Sequence, residues 1–224
     1  MALASLAGNE LVLTDLVHDL FTVDSILDAL DCANPIGIAI DAPLVIPNDS
    51  GQRLCEKLIG REYSARKVSC HTSNQSLYPN ADSVSLSRAL ESRGYGHLAG
   101  SDRQWQLECY PHPALIEIFG LPERHKYKKG RVGEKKTGQV ALASRLLSLE
   151  TSTVLTLKVP KRLRKCFEAE HIHGLVGSAL KRNEDALDAV VCVYIAGLYA
   201  SGLTDQVFGT QADGYIYVPR RRCM

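Results

Sequence analysis

The sequence predicts a mixed α/β fold. Three observations carry that prediction. The chain opens as strand, strand, helix and buried strand. "IGIAIDAPLVI" (36–46) is an apolar run broken by one Asp, the pattern of a strand buried on both faces in a parallel sheet. Helical periods in apolar residues recur later, most plainly at 133–150 and 184–201.

Taken in order, "ALASLAG" and "NELVLTDLVH" read as two strands joined by a tight turn at Gly8 and Asn9. "TVDSILDALDCA" (22–33) places Val23, Ile26, Leu27 and Leu30 on one helix face, and Asn34-Pro35 ends it. Residues 47–104 are mostly polar, with helices expected at about 53–62 and 84–93. "WQLECYPHP" (105–113) reads as a short strand stopped by Pro111 and Pro113, with a helix following at 113–119. Amphipathic helices are expected at 133–150 and, more weakly, at 160–170. "GYIYVP" (214–219) reads as a last strand.

The 224 residues, 45% hydrophobic and 23% charged, suit one domain large enough for a real core. No apolar run reaches the roughly 18 residues of a membrane helix, and the start has no basic region of a secretory signal. Seven cysteines form no CxxC pair, which points to free thiols in a reducing cytoplasm rather than a disulfide framework or a four-cysteine zinc site. Net charge is only +1, yet eight acids and no Lys or Arg precede Arg53. Positive charge gathers in "RHKYKKGRVGEKK" (124–136), "KVPKRLRK" (158–165) and "RRR" (220–222). Such stripes can bind phosphates, or simply solvate helix faces.

Isolated carboxylates in apolar surroundings carry the functional reading, because burying one is costly unless it is paired, hydrogen-bonded or metal-bound. Asp41 stands at the end of the "IGIAI" strand, the end that faces the ligand crevice in open α/β sheets; a turn cap beside Pro43 is its plainer role. Glu108 is the one carboxylate of "LECYP". Asp185 and Asp188, in "NEDALDAVVCVYIAG" (183–197), are three apart and share a helix face. Asn183 reads as the N-cap of that helix, so Asp185 could simply complement the dipole of its first turn. Asp188, among Leu187, Ala189 and Val190, is harder to explain that way. Together these acids suggest a site for Mg²⁺ or Mn²⁺, and two such ions can drive phosphodiester hydrolysis without a protein nucleophile. The spacings of Cys70-His71 and of His171 with His173 fit no standard zinc site.

In this order, "IAIDAPL", "LECYPHPALIEIFGL", "YKKG", "NEDALDAVVCVYIAGLYA" and "GYIYVP" resemble the domain-of-unknown-function family 429, over roughly residues 1–219. Members are described as predicted nucleases. The resemblance implies a ribonuclease H-like mixed five-stranded sheet flanked by helices, in a single domain over 1–224 with a helical and loop insertion at about 47–104. It puts Asp41, Glu108, Asp185 and Asp188 on the family's acidic positions, with Asp41, Asp185 and Asp188 as metal ligands. His112, Lys128 and Lys129 fall on polar positions suited to substrate binding. One departure stands out. The family usually opens with a strand carrying "GIDG", whose Asp is the first metal ligand. This chain begins at the segment after that strand, and Asp15 and Asp19 lie too late to substitute. The expectation is a start further upstream or a shortened form, with the "IGIAI" strand left as an open edge.

The function expected is a metal-dependent nuclease acting on nucleic acid with Mg²⁺ or Mn²⁺. The alternative is a non-catalytic nucleic-acid-binding or interaction protein with an incomplete metal site. Phosphoryl transfer on an actin-like variant lacks its glycine-rich phosphate loops here. An open sheet edge favours a homodimer, and no membrane association is expected.

Overall fold

The computed structural model describes residues 1–100, 102–202 and 206–220. In chain order its elements are β1 (Ala2–Ala7), β2 (Glu10–Leu16), α1 (Val23–Ala33), β3 (Gly37–Ile40), α2 (Leu54–Tyr63), α3 (Asp82–Ser92), β4 (Gly96–His97), β5 (Trp105–Glu108), α4 (Pro111–Phe119), α5 (Val132–Ser148), β6 (Thr156–Lys158), α6 (Ala169–Gly174), α7 (Gly177–Ala200), β7 (Val207–Thr210) and β8 (Gly214–Tyr217). This is the mixed α/β class that the sequence predicts. The strands form sheets of three, three and two, in the orders β1-β2-β6, β3-β5-β4 and β7-β8. No helix among the described residues is long and apolar enough to cross a membrane. Arg221 and Arg222, in the last basic run, lie outside the described residues.

The chain divides into two compact units, Met1–Asp19 with His125–Leu203, and Leu20–Arg124 with Thr204–Met224. In the first, the β1–β2 hairpin turns at Gly8, whose φ of 61° is the left-handed region that glycine enters at little steric cost. Parallel β6 extends the sheet beside β2. Long helix α7 covers it, burying Leu187, Val190, Val191 and Ile195. A side chain at Gly197 would come within 2.9 Å of Leu155 and 3.0 Å of Leu11, so the close approach of helix to sheet depends on glycine there. Three residues earlier, the Tyr194 hydroxyl donates to the carbonyl of the same Leu155.

Two expectations about α7 need correction. The helix starts at Gly177, two turns before Asn183, because "GSALKRN" is rich in good helix formers. Asn183 is therefore not an N-cap. It is buried within the helix, where its amide donates to the Gln139 side chain of α5 at 3.0 Å. Asp185 in turn lies in the third turn, away from the helix dipole's N-terminal end.

In the second unit, β3, β4 and β5 run parallel, with Gly37 opposite Trp105 and Ile40 opposite Glu108. A Cβ at Gly37 would fall 2.0 Å from the Trp105 ring, so the indole packs where a side chain would be. The strand expected over 36–46 is shorter and less buried than predicted. Only Gly37–Ile40 pair, all four half-buried, because β3 is an edge strand, and Pro43 and Pro47 follow. Pro111 does not merely stop β5. It is the first residue of α4, a position where its missing N–H is not needed. Cys55, Ile59, Tyr63, Ile116, Phe208 and Ile216 form this unit's core cluster. The expected weak helix at 160–170 is a 3₁₀ helix, Lys161–Phe167, followed by short α6.

Candidate functional site

In the first unit α7 carries three carboxylates, Glu184, Asp185 and Asp188, at helical spacings of one, three and four. One oxygen of each lies within 4.8 Å of the others. Asp188 is the most committed. The Tyr127 hydroxyl donates to its Oδ1 at 2.5 Å, and Lys128 Nζ approaches its Oδ2 at 2.9 Å. Burial pushes the Asp188 carboxyl above its ordinary value, opposed by the Lys128 ammonium and the Tyr127 hydroxyl.

Lys181 serves the other two acids. Its ammonium donates to Glu184 at 2.7 Å and to Asp185 at 2.8 Å, the three-and-four spacing that brings side chains together on a helix. Burial pulls Lys181 down, but bonds to Asp185 and Glu184 outweigh it and hold its pKa above the ordinary value. Every carboxylate of the cluster thus meets a lysine. Asp185 stays well exposed, while Glu184 is buried.

The position of Tyr127 and Lys128 is set by a glycine nearly two turns into α5. A Cβ at Gly138 would fall 2.1 Å from the Lys126 carbonyl oxygen and 2.7 Å from the Tyr127 Cα. That close approach lets the segment before α5 lie against the helix. His125 stacks on Tyr127 with ring centroids 5.7 Å apart, and its Nε2 lies 2.9 Å from the Gly138 carbonyl. Lys129, the next residue, is exposed.

The second unit holds Asp41, Glu108 and His112. Asp41 follows the last residue of β3 and is exposed; Glu108 ends β5 and is buried. Both line a pocket of about 160 Å³ with Arg53, Glu56, Cys70 and Tyr110. Arg53 makes a bidentate pair with Glu108, at 2.6 and 2.9 Å, and also reaches Glu56 at 2.8 Å. The Leu44 amide donates to Glu108 at 2.9 Å, and the Ser73 amide to Glu56 at 3.2 Å. Burial pushes Glu108 above the usual carboxylate range, against the pull of Arg53 and the Leu44 amide. Three donors aimed at its two oxygens mark it as ionised. Burial also pushes the Cys70 thiol up to about 12, so it is protonated and a poor nucleophile at neutral pH. The His112 ring sits edge-on to Tyr110 at 5.7 Å.

The structure therefore joins Asp185 with Asp188 and Asp41 with Glu108, in different units. Glu184 is the member that sequence reasoning missed; its four-residue spacing from Asp188 is the signal that marks it. Arg53, Tyr127 and Lys181 were equally silent.

A carboxylate cluster on the last long helix of a mixed α/β chain, compensated by lysines, is the class of site that the structure defines. The chain matches the family described as Protein of unknown function (DUF429) over residues 3–213, and it belongs to that family. No curated protein and no solved structure matches it.

Proposed function

We propose that this chain is a metal-dependent nuclease, with the α7 carboxylates holding Mg²⁺ or Mn²⁺ and the ribonuclease H-like five-stranded arrangement as its fold. The mutual approach of Glu184, Asp185 and Asp188 carries this reading. Carboxylate oxygens are hard donors that suit Mg²⁺ and Mn²⁺. Three carboxylates outweigh two ammonium groups, and Lys181, with a side chain 61% exposed, can turn to water without loss of packing. A bound cation would supply charge neutralisation at phosphate and a more acidic water.

The chain's own residues do the rest. Tyr127 and Lys128 fix the Asp188 carboxylate by both oxygens, and exposed Lys129 stands beside them for a phosphate of the nucleic-acid backbone. In the second unit, Asp41 is the exposed carboxylate of the pocket it shares with Glu108, and His112 is proposed as a contact to substrate. Glu108 acts there by ordering the loop after β3 through the Leu44 amide. A homodimer would pair along the β3 edge, and a reducing cytoplasm suits the free thiols.

A second reading has its own support. Because every carboxylate of the cluster already meets a lysine, the same residues could serve a non-catalytic nucleic-acid-binding protein that needs no metal. Cleavage of labelled RNA, DNA, hybrid and branched substrates, with Mg²⁺, Mn²⁺ or chelator, separates the two. Metal-dependent cleavage that is lost in Asp188→Asn supports the nuclease. Nucleic-acid binding without turnover and without Mn²⁺ uptake supports the binder and sinks the first reading.

A further inference from the structure

The basic run 158–165 has no part in the α7 carboxylate cluster. Most of it lies in the 3₁₀ helix Lys161–Phe167. At three residues per turn, positions three apart eclipse, so Arg162 and Lys165 share one edge. That edge borders a cavity of about 450 Å³ in the first unit. Arg182 of α7 also lines it, and Leu16, Leu163 and Leu175 give it an apolar surface. Among the described lining residues, three permanent cations face one carboxylate, Asp19, with His18 and His171 adding polar ring nitrogens.

The cavity is distinct from the acidic cluster. α7 contributes Ala179, Arg182, Asn183 and Ala186 to it, a stripe of spacing three, four and seven. Lys181, Glu184, Asp185 and Asp188 repeat that spacing two residues later, about 200° around the helix. One side of α7 is acidic and the other borders a basic cavity.

Its cations are only lightly committed. The Arg182–Asp19 pair spans 3.3 Å between well-exposed side chains, a kind of contact that water readily replaces. Arg162 donates to the Thr14 carbonyl with one nitrogen, leaving further N–H donors of its fork.

We infer that this cavity binds a phosphorylated small molecule of nucleotide size. The phosphate lies on Arg162, Lys165 and Arg182, and the apolar body lies on the leucines. The volume falls within the roughly 300–1,000 Å³ of ligand pockets, and the arginine forks match phosphate geometry. A free nucleotide and the phosphorylated end of a strand present the same chemistry.

Calorimetric titration of the full chain tests this with adenosine monophosphate, adenosine, inorganic phosphate and a 5′-phosphorylated oligonucleotide. Adenosine monophosphate binds, and the two halves bind at least tenfold more weakly. Arg162→Ala with Lys165→Ala weakens binding at least tenfold. Ala179→Trp, at an exposed lining position, blocks the cavity while the unfolding midpoint stays near that of the native chain. Asp188→Asn leaves the affinity unchanged, which separates this site from the nuclease reading. Oligonucleotide binding tighter than that of the monophosphate, and weakened both by removal of its 5′-phosphate and by the double substitution, assigns a strand end; the reverse assigns a free nucleotide. The inference is overturned if neither phosphorylated probe binds at millimolar concentration, or if binding survives both the double substitution and Ala179→Trp.

Discussion

The Tyr127 hydroxyl donates to Oδ1 of Asp188 at 2.5 Å. These residues lie 61 positions apart, and the bond ties the segment before α5 to the middle of α7. A neutral donor thereby meets a carboxylate that burial alone would leave destabilised. Tyr127→Phe keeps the ring and removes the donor. Stability should fall by about 1.5–3 kcal/mol, the range for hydrogen bonds to charged groups. The Asp188 carboxyl should also titrate higher, since a bond favouring its ionised form is gone. Urea unfolding and side-chain NMR titration check both effects; an unmoved Asp188 would show that the bond does not hold in solution.

Gly138→Ala tests what places that tyrosine. The added methyl meets backbone, not the end of a flexible side chain. Overpacking of this kind typically destabilises by about 1–3 kcal/mol. Displacement of Tyr127 and Lys128 should also change Mn²⁺ affinity at the α7 carboxylates. A variant as stable as the native chain, with unaltered Mn²⁺ uptake, would mean that the segment does not rest on this glycine.

The buried Arg53 lies between two carboxylates. Arg53→Met strands Glu56 and Glu108 without their cation, and breaking a buried pair in this way costs about 3–5 kcal/mol. Adding Glu108→Met should restore part of that loss, since one stranded charge is removed with it. A double-mutant cycle reads the coupling. Additive losses would argue against the ion pair.

Another set of buried polar groups, around His97, predicts a response to pH. The His97 ring lies between Ser87 and Tyr215, with Nε2 3.1 Å from the serine hydroxyl and Nδ1 2.9 Å from the phenol. Burial lowers its pKa below the ordinary 6.5, with Glu91 opposing. The unfolded ring therefore takes up a proton first as pH falls. Its contribution to stability is full above 6.5 and is lost as pH drops through the lower folded pKa. Thermal unfolding across roughly pH 5 to 8 should show this slope, and His97→Gln should flatten it. An equal slope in both proteins would assign the effect elsewhere.

Much of this arrangement was legible in the residues themselves. Asp41 and Glu108 could be placed at strand ends because apolar runs stop beside them, and Ile40 does pair with Glu108. Asp188 stood out as one charge among apolar neighbours. What stayed hidden came from distance. Nothing near Glu108 announces Arg53, 55 positions away, and nothing near Asp188 announces Tyr127. Asn183 misled because its side chain suits a helix start as well as a buried amide pair with Gln139. β4 and β6, of two and three residues, are too short for any alternation to register.

The two opposed stripes of α7 also bear on how this chain can change over time. A substitution alters one side chain and leaves the rest in phase. An inserted or deleted residue between Lys181 and Asp188 turns everything beyond it by about 100°. Asp188 would then leave Tyr127, and the acids would drift toward the basic cavity. Along this stretch the count of residues constrains variation more tightly than their identity does.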